Sequence, residues 1–123
     1  SKLIRCFIID QDKDTFDLDL IFTEKNTALG TINATADISD ADFEAIGYCG
    51  FLKAASDANI QSHTDNFKVI ATQGPGNGGE AVEPFLLQAD SDSTSVYVSG
   101  IISDGTPTFA AADDIDIVLH IED

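Results

Sequence analysis

Ser95–Asp123 reads SVYVSGIISDGTPTFAAADDIDIVLHIED, which is two apolar runs separated by a Gly-Thr-Pro-Thr turn. In the second run, apolar side chains recur at every second position, at Ile115, Ile117, Leu119 and Ile121. This period is typical of a strand that buries one face. The stretch therefore predicts two strands and an all-β fold.

The rest of the chain favours an antiparallel, jelly-roll-like β-sandwich of about seven or eight strands. The clearest further strand alternates Phe16, Leu18, Leu20 and Phe22 with mostly polar residues, and we expect both alternating sets to face inward. The other candidate strands are Leu3–Ile9, Tyr48–Ala55, Phe67–Thr72 and Ala81–Gln88. Pro84 lies inside the last of these and predicts an edge position or a bulge.

One short helix is predicted over Ser39–Ile46. Asp42 follows Ser39 by three positions, which is close to a capping box. Phe43 and Ile46 have the spacing to face the core, and Gly47 suits the helix end.

Length and composition indicate one domain over residues 1–123, with a hydrophobic content of 43% that excludes a disordered chain. The sequence contains no run approaching the ~18 apolar residues of a membrane span. The chain starts with Ser1 and enters a strand at once, which suggests truncation or processing at the N-terminus.

The charge is strongly acidic, with 22 Asp and Glu residues against 6 Lys and Arg residues and a net charge of −16. Phosphate binding requires clustered basic side chains, so we expect no nucleic-acid partner and no anionic membrane partner. A well-solvated surface explains the charge, and Ca²⁺ binding or a high-salt environment are the alternatives.

Cys6 alternates with Ile4 and Ile8 and is expected to be buried, as a small apolar residue. A disulfide to Cys49 requires neighbouring strands. We expect two reduced thiols, because no Cys or His spacing in the chain is that of a zinc site.

No catalytic constellation is evident, and we expect the protein not to be an enzyme. The histidines are His63, in a polar stretch, and His120, on the face of its strand opposite the apolar one. Neither stands in a hydrolase or metalloprotease motif.

A Gly-rich segment precedes the strand that contains Pro84. Gly74, Gly76 and Gly79 match GxGxxG, but Pro84 is incompatible with the helix that a dinucleotide site requires. We interpret Gln73–Glu80 and Ala81–Gln88 as elements that contact other subunits, since glycine permits close backbone approach and edge strands pair readily. The candidate interface residues are Gly74, Gly76, Gly78, Gly79 and Pro84.

Asp10, Asp12 and Asp14 have the D-x-D-x-D spacing of a calcium loop. Thr15 and Ile21 stand where an EF-hand has Gly and Glu, which excludes that motif. These residues are the candidate ligands of a looser Ca²⁺ site, and turn stabilisation by Asp is the alternative. No other cofactor is indicated. We expect this turn and Asp90–Asp92 to face solvent or hold a cation.

The order of short motifs along nearly the whole chain resembles small virion proteins encoded near the capsid genes of tailed bacteriophages. The motifs are LIRCFIIDQDKD at Leu3–Asp14, DLIF at Asp19–Phe22, Asn26–Leu29, ISDADF at Ile38–Phe43, Ile46-Gly47, Tyr97, GTPTF at Gly105–Phe109 and the alternation Asp114–Ile121. Members of this group usually carry another segment before the first strand.

This resemblance implies a head decoration (cement) protein or a head fibre. It further implies a location on the outer surface of the phage head after assembly in the host cytoplasm. The expected partners are the major capsid protein and copies of the chain itself, with a homotrimer favoured.

Two other functions remain open. A receptor- or glycan-binding module of a spike or fibre needs exposed aromatic rings, for which Phe51, Tyr97 and Phe109 are the candidates. A Ca²⁺-stabilised secreted adhesion domain would use the Asp-rich turns.

Overall fold

Two antiparallel β-sheets pack face to face, which confirms the predicted all-β sandwich. The computed structural model describes residues 1–55, 60–62, 68–71 and 85–123. The strands in these residues are β1 Lys2–Asp10, β2 Phe16–Thr23, β3 Tyr48–Ala55, β4 Ile60–Gln61, β5 Lys68–Ala71, β6 Phe85–Leu86, β7 Tyr97–Gly105 and β8 Ile115–Glu122. A single helix in the described residues, α1, spans Asp40–Ala45.

The five-stranded sheet is built around β1. β8 pairs with β1 along one side, β5 and β6 pair with it along the other, and β4 lies outside β5. The three-stranded sheet has the order β3-β2-β7. Because β3 contacts β5 and β6, the free strands β7 and β8 lie together on the opposite side of the sandwich.

The core lies between β1 and β2. All four alternating residues of β2, from Phe16 to Phe22, are buried as predicted. They pack with Leu3, Cys6 and Ile8 of β1 in one apolar cluster. Leu52, Ala54, Ile70 and Leu87 complete that cluster from the flanking strands.

β8 has the predicted orientation but not the predicted burial. Its register places Leu119 opposite Cys6 and Ile117 opposite Ile8, so its alternating residues face inward. Leu119 and Ile115 pack against the core cluster. However, Ile117 is 43% exposed and Ile121 is 51% exposed. The expectation that the whole set is buried is wrong for these two, because in the described residues no strand lies outside β8.

The helix begins where the sequence predicts. The Ser39 hydroxyl accepts a hydrogen bond from the Asp42 backbone N–H at 3.2 Å and donates one to the Asp42 carboxylate at 2.7 Å. Gly47 follows the helix with a φ of +67°, which suits glycine. Ile46 is buried, but Phe43 is 37% exposed, so the expectation that Phe43 faces the core is wrong. No helix in the described residues is long and apolar enough to cross a membrane.

Strand boundaries differ from the predicted ones mainly in the middle of the chain. β3 covers the predicted Tyr48–Ala55, and β5 covers Lys68–Ala71 of the predicted Phe67–Thr72. Of the predicted strand Ala81–Gln88, the structure describes residues 85–88 and shows strand at Phe85–Leu86 only. The two-residue strand β4 was not predicted, because its surroundings are polar.

Candidate functional site

The side of the sandwich between β7 and β8 carries apolar side chains that face inward but remain in contact with solvent. On β7, Val98 lies opposite Phe22 and Ile102 lies opposite Leu18, and both partners are core residues. Val98 and Ile102 are nevertheless 41% and 40% exposed. We call these two residues, together with Ile117 and Ile121 of β8, the open margin.

The open margin exists because each sheet ends there. β7 has β2 on one side and β8 has β1 on one side, and the described residues place no further strand beside either. Gly100 lies between Val98 and Ile102, where a Cβ atom would come within 3.3 Å of Leu18. The absence of a side chain there keeps this part of β7 close to β2. Sheets bury their inner faces wherever a neighbour is available, so an exposed inner face marks a surface that can bind another chain.

An Asp-rich end of the molecule adjoins the open margin. It consists of residues 10–14, after β1, and residues 104–114, which join β7 to β8. Asp10 is fully buried because it continues the inward-facing series of Cys6 and Ile8. Its Oδ1 atom accepts hydrogen bonds from the N–H groups of Asp12 and Lys13, each at 3.0 Å.

The second carboxylate oxygen of Asp10 faces a buried lysine. Lys68 lies opposite Asp10 in the register of β5, and its Nζ atom is 3.4 Å from Asp10 Oδ2. Lys68 Nζ also donates a hydrogen bond to the backbone carbonyl of Asp14. The ammonium lies 5.8 Å from the centre of the Phe16 ring. The cation beside Asp10 is therefore a lysine side chain, and the expectation of a solvent-facing turn is wrong for this residue.

The other two carboxylates of the D-x-D-x-D segment hold the long loop after β7. Asp14 Oδ2 accepts from the N–H of Thr108 at 2.8 Å, and Asp12 Oδ2 accepts from the N–H of Ala110 at 3.0 Å. Carboxylates commonly stabilise turns by accepting such bonds. These contacts fix the connection between the two sheets at one end of the open margin.

The structure does not bring the candidate metal ligands together. Within residues 1–55, 60–62, 68–71 and 85–123, no three His, Cys, Asp or Glu side chains are grouped so that they could hold one metal ion. In the second acidic turn, Asp90 Oδ1 accepts from the N–H of Ser91 at 2.8 Å. Asp92 is exposed.

Of the histidine and cysteine residues, the structure describes His120, Cys6 and Cys49. His120 is exposed on the outer face of β8, where its ring meets Phe7 edge-on at 5.4 Å. His63 lies outside the described residues. Cys6 and Cys49 are not joined by a disulfide in the structure. The Cys49 thiol donates weakly to the carbonyls of Gly47 and Gln88.

The three aromatic residues predicted as glycan-site candidates, Phe51, Tyr97 and Phe109, do not lie together. Tyr97 lies opposite Thr23 at one end of β2, whereas Phe109 meets Phe16 edge-on at the other end, with ring centres 5.7 Å apart. Phe51 is half-buried.

A second group of exposed aromatic side chains, which the sequence did not indicate as a site, is the pair Phe43 and Tyr48. The rings of Phe43 and Tyr48 lie 5.5 Å apart, and partial burial raises the pKa of Tyr48. Because Phe43 was assigned to the core from its helical spacing, this pair was missed.

The predicted subunit-contact residues cannot be placed. Gly74, Gly76, Gly78, Gly79 and Pro84 lie outside the described residues. The open margin, in contrast, was not predicted as a site, because a period-two pattern shows which face of a strand is apolar but not whether another strand covers it. Comparison with protein-family models, with curated proteins and with solved structures finds no match for the chain.

Proposed function

We propose that this chain is a non-enzymatic structural protein of a tailed-phage particle, a decoration protein that binds the outer surface of the head. The open margin is the observation that carries this proposal. A small domain that leaves inward-facing Val98, Ile102, Ile117 and Ile121 in water gains stability when another protein surface covers them. The order of sequence motifs is the reason for choosing a virion among such assemblies.

Two further features suit a decoration role. The Asp-rich end ties both sheets together through hydrogen bonds that backbone N–H groups donate to the Asp12 and Asp14 carboxylates, which favours a rigid module that binds without rearranging. The net charge of −16 keeps free copies soluble and apart from nucleic acid before assembly. The proposed partners are the major capsid protein and, around a symmetry axis of the head, further copies of the chain.

The test is the location of the chain in purified particles. Virions from the organism that encodes it are purified by density gradient, and the chain is quantified by mass spectrometry relative to the major capsid protein. We expect a fixed copy number, and electron microscopy is expected to show the domain on the outside of the head. Absence from the particle contradicts the proposal, and location on the tail or on a spike contradicts the decoration role.

A receptor- or glycan-binding module is the second candidate, favoured by the exposed pair Phe43 and Tyr48. Sugar rings stack on exposed aromatic faces. Binding to a glycan array that is lost in Tyr48→Ala, but kept in Tyr97→Ala, would support this alternative.

A further inference from the structure

We propose that the edge of β8 that no strand of the described residues covers binds an extended segment of a partner protein as an additional strand, in which apolar residues alternate with Lys or Arg. The proposal rests on the proposed function, because it names the contact by which this structural protein holds its partner. Addition of a strand to an exposed sheet edge is a recurrent mode of protein recognition.

The backbone of β8 is suited to such pairing. Its ladder with β1 runs without interruption from Arg5–His120 to Asp10–Ile115, and the register shift lies beyond this, between Leu3 and Arg5. A strand with a regular ladder on one side presents an equally regular row of N–H and C=O groups on the other. β7 is less suited, because its own ladder with β2 shifts register between Asp17 and Leu18.

β8 carries exposed charges on its outer face but lacks the protective features that act on the backbone and on the inner face of an edge strand. Natural edge strands carry Pro, a bulge or an inward-pointing charge that prevents pairing. All the inward-facing positions of β8 are Ile or Leu, and the strand contains no Pro. A partner strand on this edge would place its own inward side chains beside Ile117 and Ile121. Those side chains would face Val98 and Ile102 of the other sheet.

The charges around β8 specify a basic partner. Asp116 and Glu122 are exposed on the outer face of β8, and the exposed Asp123 directly follows the strand. Opposite charges across neighbouring strands stabilise pairing, whereas like charges destabilise it. Lys or Arg at the outward positions of the added strand would meet these carboxylates.

Charge complementarity also disfavours a second copy of this chain as the strand that pairs with β8. Each copy has 22 acidic and 6 basic residues. Two of the basic residues, Lys53 and Lys68, already pair with Asp17 and Asp10 of their own chain. A cyclic oligomer formed through another surface would leave β8 free for the basic strand.

The test uses a synthetic peptide of the same length as β8 that alternates valine with lysine. A control peptide has the same composition with valines and lysines in separate blocks, so it has the same charge without the period of two. A second control alternates valine with glutamate. Affinity is measured by fluorescence anisotropy, and backbone protection is measured by amide hydrogen exchange on the full chain.

We expect saturable binding of the alternating valine–lysine peptide, with new protection concentrated at the amides of Ile115–Glu122. Ile117→Asp and Ile121→Asp each place a charge in the contact and are expected to weaken binding about tenfold or more. Ile32→Asp is the matched control, because Ile32 is 90% exposed and lies away from β8. It is expected to bind like the parent chain, and circular dichroism checks that all three variants are folded.

Several results would overturn the inference. These are equal binding of the block peptide, no added protection in β8, or equal affinity in the Ile117→Asp and Ile121→Asp variants. Protection of β8 in the absence of peptide, with the mass of a dimer, would show that a second copy occupies the edge. None of these results depends on where the chain lies in a particle, so failure here is distinct from failure of the proposed function.

Discussion

Asp10, one of the three candidate Ca²⁺ ligands, is a buried strand residue whose carboxylate lies beside Lys68. Its spacing with Asp12 and Asp14 is that of a calcium loop, yet its place in the strand is an inward-facing one. A carboxylate in the interior requires compensation by charge and by hydrogen bonds. Lys68 supplies the charge, and the N–H groups of Asp12 and Lys13 supply the bonds.

This buried pair leads to a prediction about stability. Lys68→Met leaves the buried Asp10 carboxylate without its cation and should lower the free energy of unfolding by about 3–5 kcal/mol. Urea denaturation measures the change. The double variant Asp10→Asn with Lys68→Met removes both charges and should recover part of the loss. If the single Lys68→Met variant is as stable as the parent chain, the Asp10–Lys68 ion pair does not contribute to the stability of the domain.

Gly105 is the glycine with the strongest steric requirement. Its φ is +84°, and a Cβ atom there would lie 2.5 Å from the backbone oxygen of Thr15. Gly105→Ala is therefore expected to destabilise the domain by about 1–3 kcal/mol or more, because the backbone itself must move.

Gly100→Ala is the matched control for this substitution. The atom nearest its added Cβ is the end of the Leu18 side chain, which can adjust, so the loss should be clearly smaller. Equal melting temperatures of the two variants would contradict the assignment.

At the scale of elements, β2 and β8 show what a pattern does and does not reveal. Both have apolar residues at every second position, and both turn those residues inward as predicted. β2 lies between β3 and β7, whereas β8 has a neighbour on one side only among the strands that the structure describes. Whether a strand is central depends on the order of all the strands, so the exposed inner face of β8 was not predictable from its own residues.

The helix was predictable from neighbouring residues in the sequence, whereas the contacts of the loops were not. Ser39, Asp42 and Gly47 act within a few positions of one another, so the helix was predictable nearly to its boundaries. The Asp10–Lys68 pair and the bonds from Asp12 and Asp14 to the loop after β7 join distant parts of the chain. No pattern among neighbouring residues in the sequence predicts such contacts.

The different burial of residues within β8 gives a third prediction. Leu119 is partly buried and packs against the core cluster, so Leu119→Asp is expected to prevent folding, since an unpaired charge against the core costs an amount comparable to the whole stability of a small domain. Ile121→Asp makes the same chemical change at a position that is 51% exposed and should fold. Circular dichroism and thermal melting distinguish the two. Similar melting temperatures would place Leu119 outside the core.

At the scale of the whole molecule, the property that matters is the net charge, which is the sum over many residues. Ion pairing within the described residues includes Lys53 with Asp17 at 3.0 Å and Lys68 with Asp10. The hydrogen bond and the charge of Asp17 raise the pKa of Lys53. The net charge of −16 already includes these lysines, so most of the 22 acidic side chains have no basic residue to balance them and repel one another in the folded state.

The last prediction follows from this repulsion. Salt shortens the distance over which charges interact from about 30 Å at 0.01 M to about 3 Å at 1 M. The melting temperature should therefore rise with NaCl. At constant ionic strength, millimolar CaCl₂ and MgCl₂ should have equal effects, because screening does not distinguish the two ions.

A greater stabilisation by Ca²⁺ than by Mg²⁺ would contradict screening as the sole cause and would favour the Ca²⁺-stabilised adhesion domain. Asp12→Asn and Asp92→Asn would then locate the ion. Loss of the Ca²⁺ effect in the first variant alone would place it at the Asp-rich end, where the Asp12 carboxylate now accepts the Ala110 N–H. A melting temperature that does not change with NaCl would show instead that repulsion between the carboxylates does not limit the stability of this domain.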